Sequence, residues 1–230
     1  MMIKMVVFDM AGTTIDEDNM VYKCVTKAFI DHKIVVDLET VLLHGAGKEK
    51  LDAIKSVYTE VLNEIPDEAT AQEIYISFKA LLEEAYSTIQ MKLFDGVKAL
   101  MYFLHKRDIK VVFNTGYTHA VASDILKKVN IIPGRDIDLL VTADMVTNSR
   151  PAPDMIQYAL NKYQIKPWEC IKVGDSVVDI EEGKNAKVKY SIGITTGAQS
   201  AAILSTATPD YIIHHLRDLI EIIDFVNNTL

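Results

Sequence analysis

Cysteine is scarce in this 230-residue sequence, which contains only Cys24 and Cys170, far apart in the chain and outside any C-x-x-C motif. Disulfide frameworks and cysteine-based zinc sites both need several suitably spaced cysteines, so the sequence excludes both. Isolated thiols are typical of proteins from a reducing compartment. We therefore expect a cytoplasmic protein without structural disulfides.

Long hydrophobic runs and an excess of positive charge are also missing. No segment approaches the roughly 20 apolar residues that a membrane-spanning helix needs. The opening apolar run is interrupted by Lys4 and ended by Asp9, which makes it too short for a signal-peptide core. Lysine and arginine number 24 against 32 acidic residues, a net charge of −8. We therefore expect neither nucleic acid nor membrane as a partner, and an anionic substrate would need a local cation.

The composition is that of an ordinary globular protein. Hydrophobic residues make up 49% of the chain and charged residues 24%, and these values argue against disorder. A chain of this length buries about 70% of the surface that its unfolded form exposes. It has room for one large domain, or for one core and a smaller companion.

Short apolar runs alternate with helical patterns through most of the chain. Runs of this length that end at glycine, asparagine or aspartate indicate strands buried on both faces. We predict strands at 5–8, 109–113, 139–142, 171–173, 190–194 and 211–213. Because helical patterns separate them, we predict an α/β fold with a doubly wound, Rossmann-like parallel sheet.

One stretch, from about residue 17 to residue 92, shows helical periodicity and no convincing strand. Apolar residues recur there at spacings of three and four, as in the stripe that begins with Val21, Cys24 and Val25. We therefore predict an α/β core domain formed by residues 1–15 and 95–230 and an inserted, all-helical domain formed by residues 16–94. We expect hinges near the two crossings between them.

Polar residues follow several of the predicted strands at the points where the strands end. Asp9 follows the first strand, Thr115 the second and Asp175 a later one, while Arg150 lies in a loop on the same side. In an open parallel sheet, ligands bind beyond the carboxyl ends of the strands. Four separate segments therefore converge on one edge, where we predict the functional site.

These segments resemble, in order and spacing, the four motifs of the haloacid-dehalogenase superfamily. They read Asp9-Met10-Ala11-Gly12-Thr13-Thr14, then Thr115, then Arg150-Pro151, then Gly174-Asp175-Ser176-Val177-Val178-Asp179. The predicted helical insert lies where that superfamily places its mobile cap. Within the superfamily, the chain resembles phosphonoacetaldehyde hydrolase (phosphonatase) and its relatives in Ala11, in the run Thr115-Gly116-Tyr117-Thr118 and in Arg150-Pro151-Ala152-Pro153.

The resemblance implies an Mg²⁺-dependent hydrolase in which Asp9 attacks phosphorus and becomes an aspartyl-phosphate. Mg²⁺ prefers oxygen ligands and offsets the negative charge of both reactants. The implied metal set is Asp9, the backbone carbonyl of Ala11, Asp175 and, through a bound water, Asp179. Thr115 and the Gly116 amide would hold phosphoryl oxygens, and Arg150 would neutralise their charge.

Ala11 departs from the pattern of the phosphatases in this superfamily. Those enzymes usually carry a second aspartate at this position, and it protonates the leaving group. Alanine cannot, so a poor leaving group needs other assistance. Phosphonatase provides it through a cap lysine that condenses with the substrate aldehyde, and the resulting iminium takes up the electrons released by C–P cleavage.

Two lysines of the insert are candidates for that role, because a Gly-x-x-Lys motif can be read to Lys48 or to Lys50. We favour Lys50, since its motif continues with Ala53 and isoleucine as in phosphonatase-like relatives. Phosphonatase itself has methionine and histidine where this chain has Ala46 and Ala53. The alternative for both lysines is a solvated position at the start of a helix.

The sequence thus favours a phosphonatase-like hydrolase acting on a small phosphorylated or phosphonate substrate, as a monomer or homodimer. Lys48, Lys50 and Tyr117 are the candidates for substrate contact outside the four motifs. One alternative keeps the catalytic residues and assigns a small phosphate monoester, cleaved by a phosphatase or transferred by a phosphotransferase. The other is a phosphate- or metal-binding module without turnover, which the missing acid at Ala11 would permit.

Overall fold

The structure, a computed structural model, describes residues 2–228 and contains a six-stranded parallel sheet. Its strands are β1 (Met5–Asp9), β4 (Lys110–Thr115), β5 (Leu139–Thr142), β6 (Cys170–Gly174), β7 (Tyr190–Ile194) and β8 (Tyr211–Ile213). Their order across the sheet is β5-β4-β1-β6-β7-β8. β1 is buried along its whole length because helices cover both faces of the sheet, as an uninterrupted apolar strand requires.

Five helices lie between the parallel strands along the chain, and a sixth follows the last strand. They are α5 (Val97–His105), α6 (His119–Lys128), α7 (Asp154–Tyr163), α8 (Val177–Asn185), α9 (Ala201–Thr206) and α10 (Asp218–Asn228), with 3₁₀ turns at Ala143–Met145 and Pro167–Glu169. The chain adds strands on both sides of β1: β4 pairs with it on one side, and later β6 pairs with it on the other. Ligands of such sheets bind at this point, beyond the carboxyl ends of the strands.

Four further helices follow β1 before the chain returns to the sheet. They are α1 (Met20–Asp31), α2 (Leu38–Gly45), α3 (Lys50–Leu62) and α4 (Glu68–Thr88). Acidic side chains begin three of them: Asp37 accepts from the amide of Thr40, Asp67 from that of Thr70, and Glu49 from those of Leu51 and Asp52. Such caps satisfy amides that have no partner within the helix.

Two short strands join this helical insert to the sheet. β2 (Ile15–Asp16) and β3 (Lys92–Leu93) pair antiparallel at the place where we predict the hinges. Their presence corrects the prediction that residues 16–94 are wholly helical. Two-residue strands carry too little periodicity to be found in a sequence. The assignment of the insert and the sheet to separate domains with these boundaries stays a prediction.

The doubly wound parallel sheet and its six strands confirm the predicted fold class. Helices α2 and α9 did not emerge from the sequence, because each has eight residues or fewer and shows at most two turns of periodicity. Within residues 2–228, no helix combines the length and apolar character needed to cross a membrane.

Candidate active site

The predicted site residues meet at the carboxyl edge of the sheet. Asp9 is the last residue of β1, and Asp175 directly follows β6. Thr115 ends β4, whose residue Asn114 lies beside Asp9 in register. All four side chains are almost wholly buried. Their proximity follows from the strand order, since β1 lies between β4 and β6.

Three carboxylates form a compact acidic group at this edge. One oxygen from each of Asp9, Asp175 and Asp179 lies within 4.8 Å of the others. Burial and the neighbouring charges of Asp9 and Asp179 raise the pKa of Asp175 to about 8. Burial likewise raises the pKa of Asp9. Asp179 behaves differently, because the charges of two cations overcome its burial and lower its pKa.

Arg150 is the first of these cations and connects several strands. Its Nη1 lies 2.6 Å from Asp9 Oδ1 and 2.9 Å from Asp179 Oδ1. Its Nη2 donates to Asn114 Oδ1 at 2.6 Å, and its Nε lies 3.0 Å from Glu182. The planar guanidinium is therefore held in one orientation by several partners, which suits recognition of a planar or tetrahedral anion.

The second cation, Lys172, was not predicted. It lies in β6 with its side chain 0% exposed, and its Nζ is 2.8 Å from both Asp179 Oδ1 and Asn114 Oδ1. Glu182 of α8 completes the group 3.3 Å from that amine. We call Asp9, Arg150, Lys172, Asp179 and Glu182 the ionic cluster. A lysine inside an otherwise apolar buried strand was the signal available in the sequence.

The charges at this edge do not balance within the protein. The buried carboxylates of Asp9, Asp175, Asp179 and Glu182 lie among two buried cations, Arg150 and Lys172, and the buried amine of Lys50, whose pKa burial lowers, lies across the cavity. When the four carboxylates and the two cations are ionised and the amine is neutral, two negative charges are uncompensated, which is the charge of one divalent cation. The carboxylate donors are also those that hard divalent cations prefer. The residues therefore fit such an ion.

Small residues provide the space around the acidic group. A side chain at Gly12 or Gly197 would collide with the Asp175 carboxylate. Ala11 borders the same cavity as Asp9 and Asp175 and contributes no titratable group there. The hydroxyl of Thr13 donates to Asp175 at 3.1 Å, and the amide of Ala198 donates to the same carboxylate at 2.6 Å.

Lys50 lies opposite the ionic cluster, at the first turn of α3. It is 8% exposed, and its Nζ donates to the carbonyl of Lys48 at 3.0 Å. The ammonium lies 5.0 Å from the centre of the Tyr117 ring and 5.6 Å from that of Tyr22. Burial lowers the pKa of Lys50, because the apolar surroundings disfavour its charged form.

Lys48 has a different place. Its Nζ donates to Ser56 Oγ at 2.8 Å, on the outer side of α3, and only its backbone reaches the site. The carbonyl of Lys48 would lie 2.8 Å from a Cβ added at Gly116. A side chain at Gly47 would strike the hydroxyl of Ser176. The helical insert and the sheet therefore pack closely against each other at these two glycines.

The cavity between these parts is small. It has a volume of about 10 Å³, close to the space that one water molecule requires. It is lined by Asp9, Ala11, Tyr22, Gly47, Lys50, Thr115, Gly116, Tyr117, Arg150 and Asp175. A substrate larger than water can enter only if the insert moves away from the sheet.

Comparison with known proteins identifies the family. A model for haloacid dehalogenase-like hydrolases matches residues 3–187. The chain belongs to this family. The match includes the acidic group, Arg150 and the whole helical insert, so the haloacid dehalogenase-like assignment rests on all four sequence motifs.

This hydrolase is also similar to individual members of known name. The phosphonoacetaldehyde hydrolase of Bacillus cereus is 30% identical to it over 99% of this chain and 90% of the relative. A solved structure described as phosphonoacetaldehyde hydrolase-like, from Oleispira antarctica, superposes with a TM-score of 0.82 at 23% identity, covering 98% of this chain and 93% of that one.

Other solved structures share the fold of this hydrolase. A predicted phosphoglycolate phosphatase from Haemophilus somnus superposes with a TM-score of 0.78 at 17% identity, covering 96% of this chain and 97% of that one. A hydrolase from Pseudomonas syringae gives a TM-score of 0.84 at 19% identity, with 97% and 99% coverage. These identities establish a common fold and leave the substrate open.

The structure brings most of the predicted site residues of this hydrolase together. Eight of them line the small cavity: Asp9, Ala11, Lys50, Thr115, Gly116, Tyr117, Arg150 and Asp175. Asp179 lies behind the cavity, within the ionic cluster. The Lys48 side chain lies apart from them. The chemical role of each residue stays a prediction.

Proposed function

We propose that this hydrolase cleaves the C–P bond of phosphonoacetaldehyde or a close relative, with Mg²⁺ bound at the acidic group. The observation that carries the proposal is the buried amine of Lys50, which faces Asp9 across the cavity. Within residues 2–228, that amine forms no ion pair with a carboxylate, and its only hydrogen bond is to a carbonyl. A lysine so placed is suited to react as a neutral amine.

Lys50 acts first in the proposed reaction. Its neutral amine adds to the aldehyde carbon, and the carbonyl oxygen leaves as water with one amine hydrogen and the proton that the lysine ammonium had released, so that an iminium links lysine and substrate. The adjacent rings of Tyr117 and Tyr22 stabilise positive charge through their faces. The iminium then accepts the electron pair of the C–P bond when that bond breaks.

Asp9 supplies the nucleophile for the phosphorus. Its carboxylate oxygen forms the new P–O bond as the P–C bond breaks, giving an aspartyl-phosphate and an enamine on Lys50. Arg150, already 2.6 Å from Asp9, offsets phosphoryl charge, while the Thr115 hydroxyl and the Gly116 amide hold phosphoryl oxygens. Protonation and hydrolysis of the enamine release acetaldehyde, and water cleaves the aspartyl-phosphate to inorganic phosphate.

Asp9, Asp175, Asp179 and the carbonyl of Ala11 would hold the metal ion. When bound, Mg²⁺ supplies the positive charge that this edge lacks and so permits an anionic group to approach Asp9. We expect Mg²⁺ to raise the melting temperature of the wild-type protein, because a ligand that binds only the folded state stabilises it. Asp175→Asn should abolish that rise, and an equal rise in the variant would contradict this ligand assignment.

A phosphate-ester substrate is the second candidate. Ala53, within the helix of Lys50, and Ala46, just before it, are buried and contribute no acid or base, which favours a reaction that does not need proton transfer near Lys50. Ala11 opposes this candidate, since it carries no acid that could protonate an alkoxide, and Asp175, the other carboxyl group of the cavity lining, is a proposed metal ligand.

The test is the release of phosphate and acetaldehyde from phosphonoacetaldehyde with Mg²⁺, with and without borohydride. Borohydride reduces an iminium and should inactivate the enzyme by fixing the substrate carbon on lysine. Lys50→Arg and Lys48→Arg form a matched pair, since both keep the charge and only the first removes the proposed amine. Turnover without trapping, or trapping lost with Lys48→Arg alone, would overturn the assignment of Lys50.

The proposal also concerns the protein's surroundings. Cys24 and Cys170 are both buried free thiols, and they support a location in the reducing cytoplasm. The partner is a small anionic molecule that the closed cavity can enclose after the insert moves. The choice between monomer and homodimer stays a prediction.

A further inference from the structure

A chain of hydrogen bonds joins three buried side chains outside the motifs. The hydroxyl of Tyr86 donates to Glu17 Oε2 at 2.9 Å and lies 2.8 Å from the hydroxyl of Tyr117. Glu17 directly follows β2, Tyr86 lies near the end of α4, and Tyr117 belongs to the loop after β4. The chain therefore connects both ends of the helical insert to the active edge of the sheet.

Lys50 lies at the end of this chain. The Tyr117 ring, oriented by its bond to Tyr86, provides one of the two aromatic faces against the Lys50 amine. Tyr22 provides the other face, and its hydroxyl is itself fixed by the amide of Gly47 at 3.0 Å. We call Tyr22, Tyr86 and Tyr117 the tyrosine cluster. An amine without an ionic partner depends on such packing for its position.

Helix capping alone does not explain Glu17. Its Oε2 also accepts from the amide of Val21 at 3.0 Å, as a residue at the start of α1 would. Yet Glu17 is only 3% exposed, and burying a carboxylate costs stability that an exposed cap avoids. Burial raises the pKa of Glu17 to about 7, despite the hydrogen bond from Tyr86.

The charged and titratable groups around this pair are few. Glu17 faces Tyr22, Lys23, Cys24, Lys50, Tyr86 and Tyr117. Lys50 faces Asp9, Glu17, Glu49, Arg150 and the rings of Tyr22 and Tyr117. Glu17 is thus a carboxylate near Lys50 that belongs neither to the acidic group nor to the exposed start of α3.

We propose that Glu17 is a positioning residue for Lys50. Glu17 orients the Tyr117 ring through Tyr86, and its charge adds to those of Asp9 and Glu49 in holding the lysine proton. This inference rests on the proposed function, in which Lys50 reacts as an amine. Condensation of an ammonium with an aldehyde yields an iminium and water without net uptake of a proton. Glu17 is therefore not consumed, and it biases only the equilibrium between ammonium and amine.

The sign of the effect can be worked out. An ionised Glu17 favours the ammonium form of Lys50, so removing its charge lowers the pKa of Lys50 and makes the amine available at lower pH. Glu17→Gln removes the charge and keeps the shape. Asp18→Asn is the matched control: it removes the same charge one residue away, from an exposed side chain paired with Lys23, at a left-handed residue that asparagine tolerates.

The first measurement needs no substrate. Competitive labelling of the Lys50 amine with acetic anhydride, followed by mass spectrometry from pH 5 to 10, gives the pH at which the amine loses its proton. We expect a midpoint lower by about a few tenths of a pH unit in Glu17→Gln than in the wild type, and no shift in Asp18→Asn. Equal midpoints in the wild type and Glu17→Gln would overturn the inference.

A second variant covers the case in which Glu17→Gln fails to fold. Tyr86→Phe removes the hydrogen bond that keeps the pKa of Glu17 from rising further, so Glu17 loses charge near neutrality and the Lys50 midpoint should shift in the same direction by less. A residue with a merely structural role would lower stability and leave the midpoint in place, which would contradict the inference.

The borohydride reaction then separates this inference from the proposed function. We expect inactivation by phosphonoacetaldehyde and borohydride to extend to lower pH in Glu17→Gln, in step with the labelling midpoint. Inactivation with identical pH dependence in both proteins would refute the role of Glu17 and leave the Schiff base intact. A labelling shift without any trapping in the wild type would establish the coupling of Glu17 to Lys50 and refute the proposed substrate.

Discussion

The ionic cluster of the sheet edge and the tyrosine cluster under the helical insert border the same cavity. In the ionic cluster, every charged side chain has an oppositely charged partner within 3.3 Å. In the tyrosine cluster, one amine lies between aromatic faces and has no charged partner at such a distance among the residues that the structure describes. The two surfaces therefore impose different constraints on a bound molecule.

The difference separates two properties of the enzyme. The ion pairs fix Asp9 and Arg150 in one geometry, which is suited to the approach of an anionic group to the Asp9 carboxylate. An amine held by packing is less constrained, and its chemistry depends on its protonation state. In the proposed function, the sheet edge performs the attack on phosphorus, and the insert supplies the amine that activates the C–P bond.

The largest expected effect removes the nucleophile of the ionic cluster. Asp9→Asn keeps the size of the side chain and should lower phosphate release from phosphonoacetaldehyde by about 10⁴-fold or more. Borohydride trapping on Lys50 should persist, because iminium formation does not need Asp9. Steady-state phosphate release and mass spectrometry of the trapped protein measure the two. Loss of trapping as well would show that the clusters do not act separately.

The next effect removes the amine on the other side of the cavity. Lys50→Arg should lower acetaldehyde release by about 10³-fold and abolish trapping, since a guanidinium forms no iminium. The variant keeps a positive charge, so the loss would reflect the chemistry of the amine. Acetaldehyde is measured with a coupled dehydrogenase. If the variant keeps more than a tenth of the wild-type rate, Lys50 does not supply the reactive amine.

The third effect is on folding and belongs to the ionic cluster alone. Glu182→Gln breaks the two buried ion pairs that Glu182 forms with Arg150 and Lys172, so the free energy of unfolding should fall by roughly 3 kcal/mol. Urea denaturation measures it. Glu181→Gln, at the adjacent exposed position, is the control and should change it by about 0.5 kcal/mol or less. Similar values for both would mean that the cluster contributes little to stability.

The smallest effect concerns pH and the carboxylate beside the tyrosine cluster. The pKa of Glu17 is about 7 in the folded protein against an ordinary 4.5, so the folded state holds more protons between these values and stability falls as pH rises through them. Glu17→Gln has no carboxyl group to titrate, so its stability does not fall in this way. Relative to the wild type, its free energy of unfolding should rise by about 2 kcal/mol between pH 5 and pH 8.

Urea denaturation at both pH values tests this last expectation. Asp18→Asn should run parallel to the wild type, because Asp18 is exposed in both the folded and the unfolded chain. A pH-independent difference between Glu17→Gln and the wild type would show that the charge of Glu17 is compensated in the folded protein.

The same comparison explains which parts of the site were predictable. Asp9, Thr115 and Asp175 each follow a strand, and parallel strands bring their carboxyl ends to one edge, so the sequence was sufficient. Lys172 lies within a strand and Glu182 within a helix, where position alone gives no signal for a partner. Their pairing depends on the packing of α8 against β6, which sequence periodicity does not specify.

The insert was harder to interpret for a similar reason. Glu17 and Tyr86 are 69 residues apart, and the packing of α1 against α4 together with the pairing of β2 and β3 brings them together. The choice between Lys48 and Lys50 depends on where α3 begins: Glu49 caps it, so Lys50 points inward from the first turn. A shift of two residues rotates a helical side chain by more than half a turn, which no motif spacing could resolve.

At Gly47 and Gly116 the helical insert and the sheet pack too closely to admit a larger side chain. A methyl group at Gly47 would collide with Ser176, and one at Gly116 would collide with the Lys48 carbonyl. Either collision would push the insert away from the sheet. We expect an alanine at Gly47 to hold the insert away from the sheet without altering a residue of the proposed catalytic set. Such a variant should bind substrate and turn it over slowly, which offers a means to study the bound substrate.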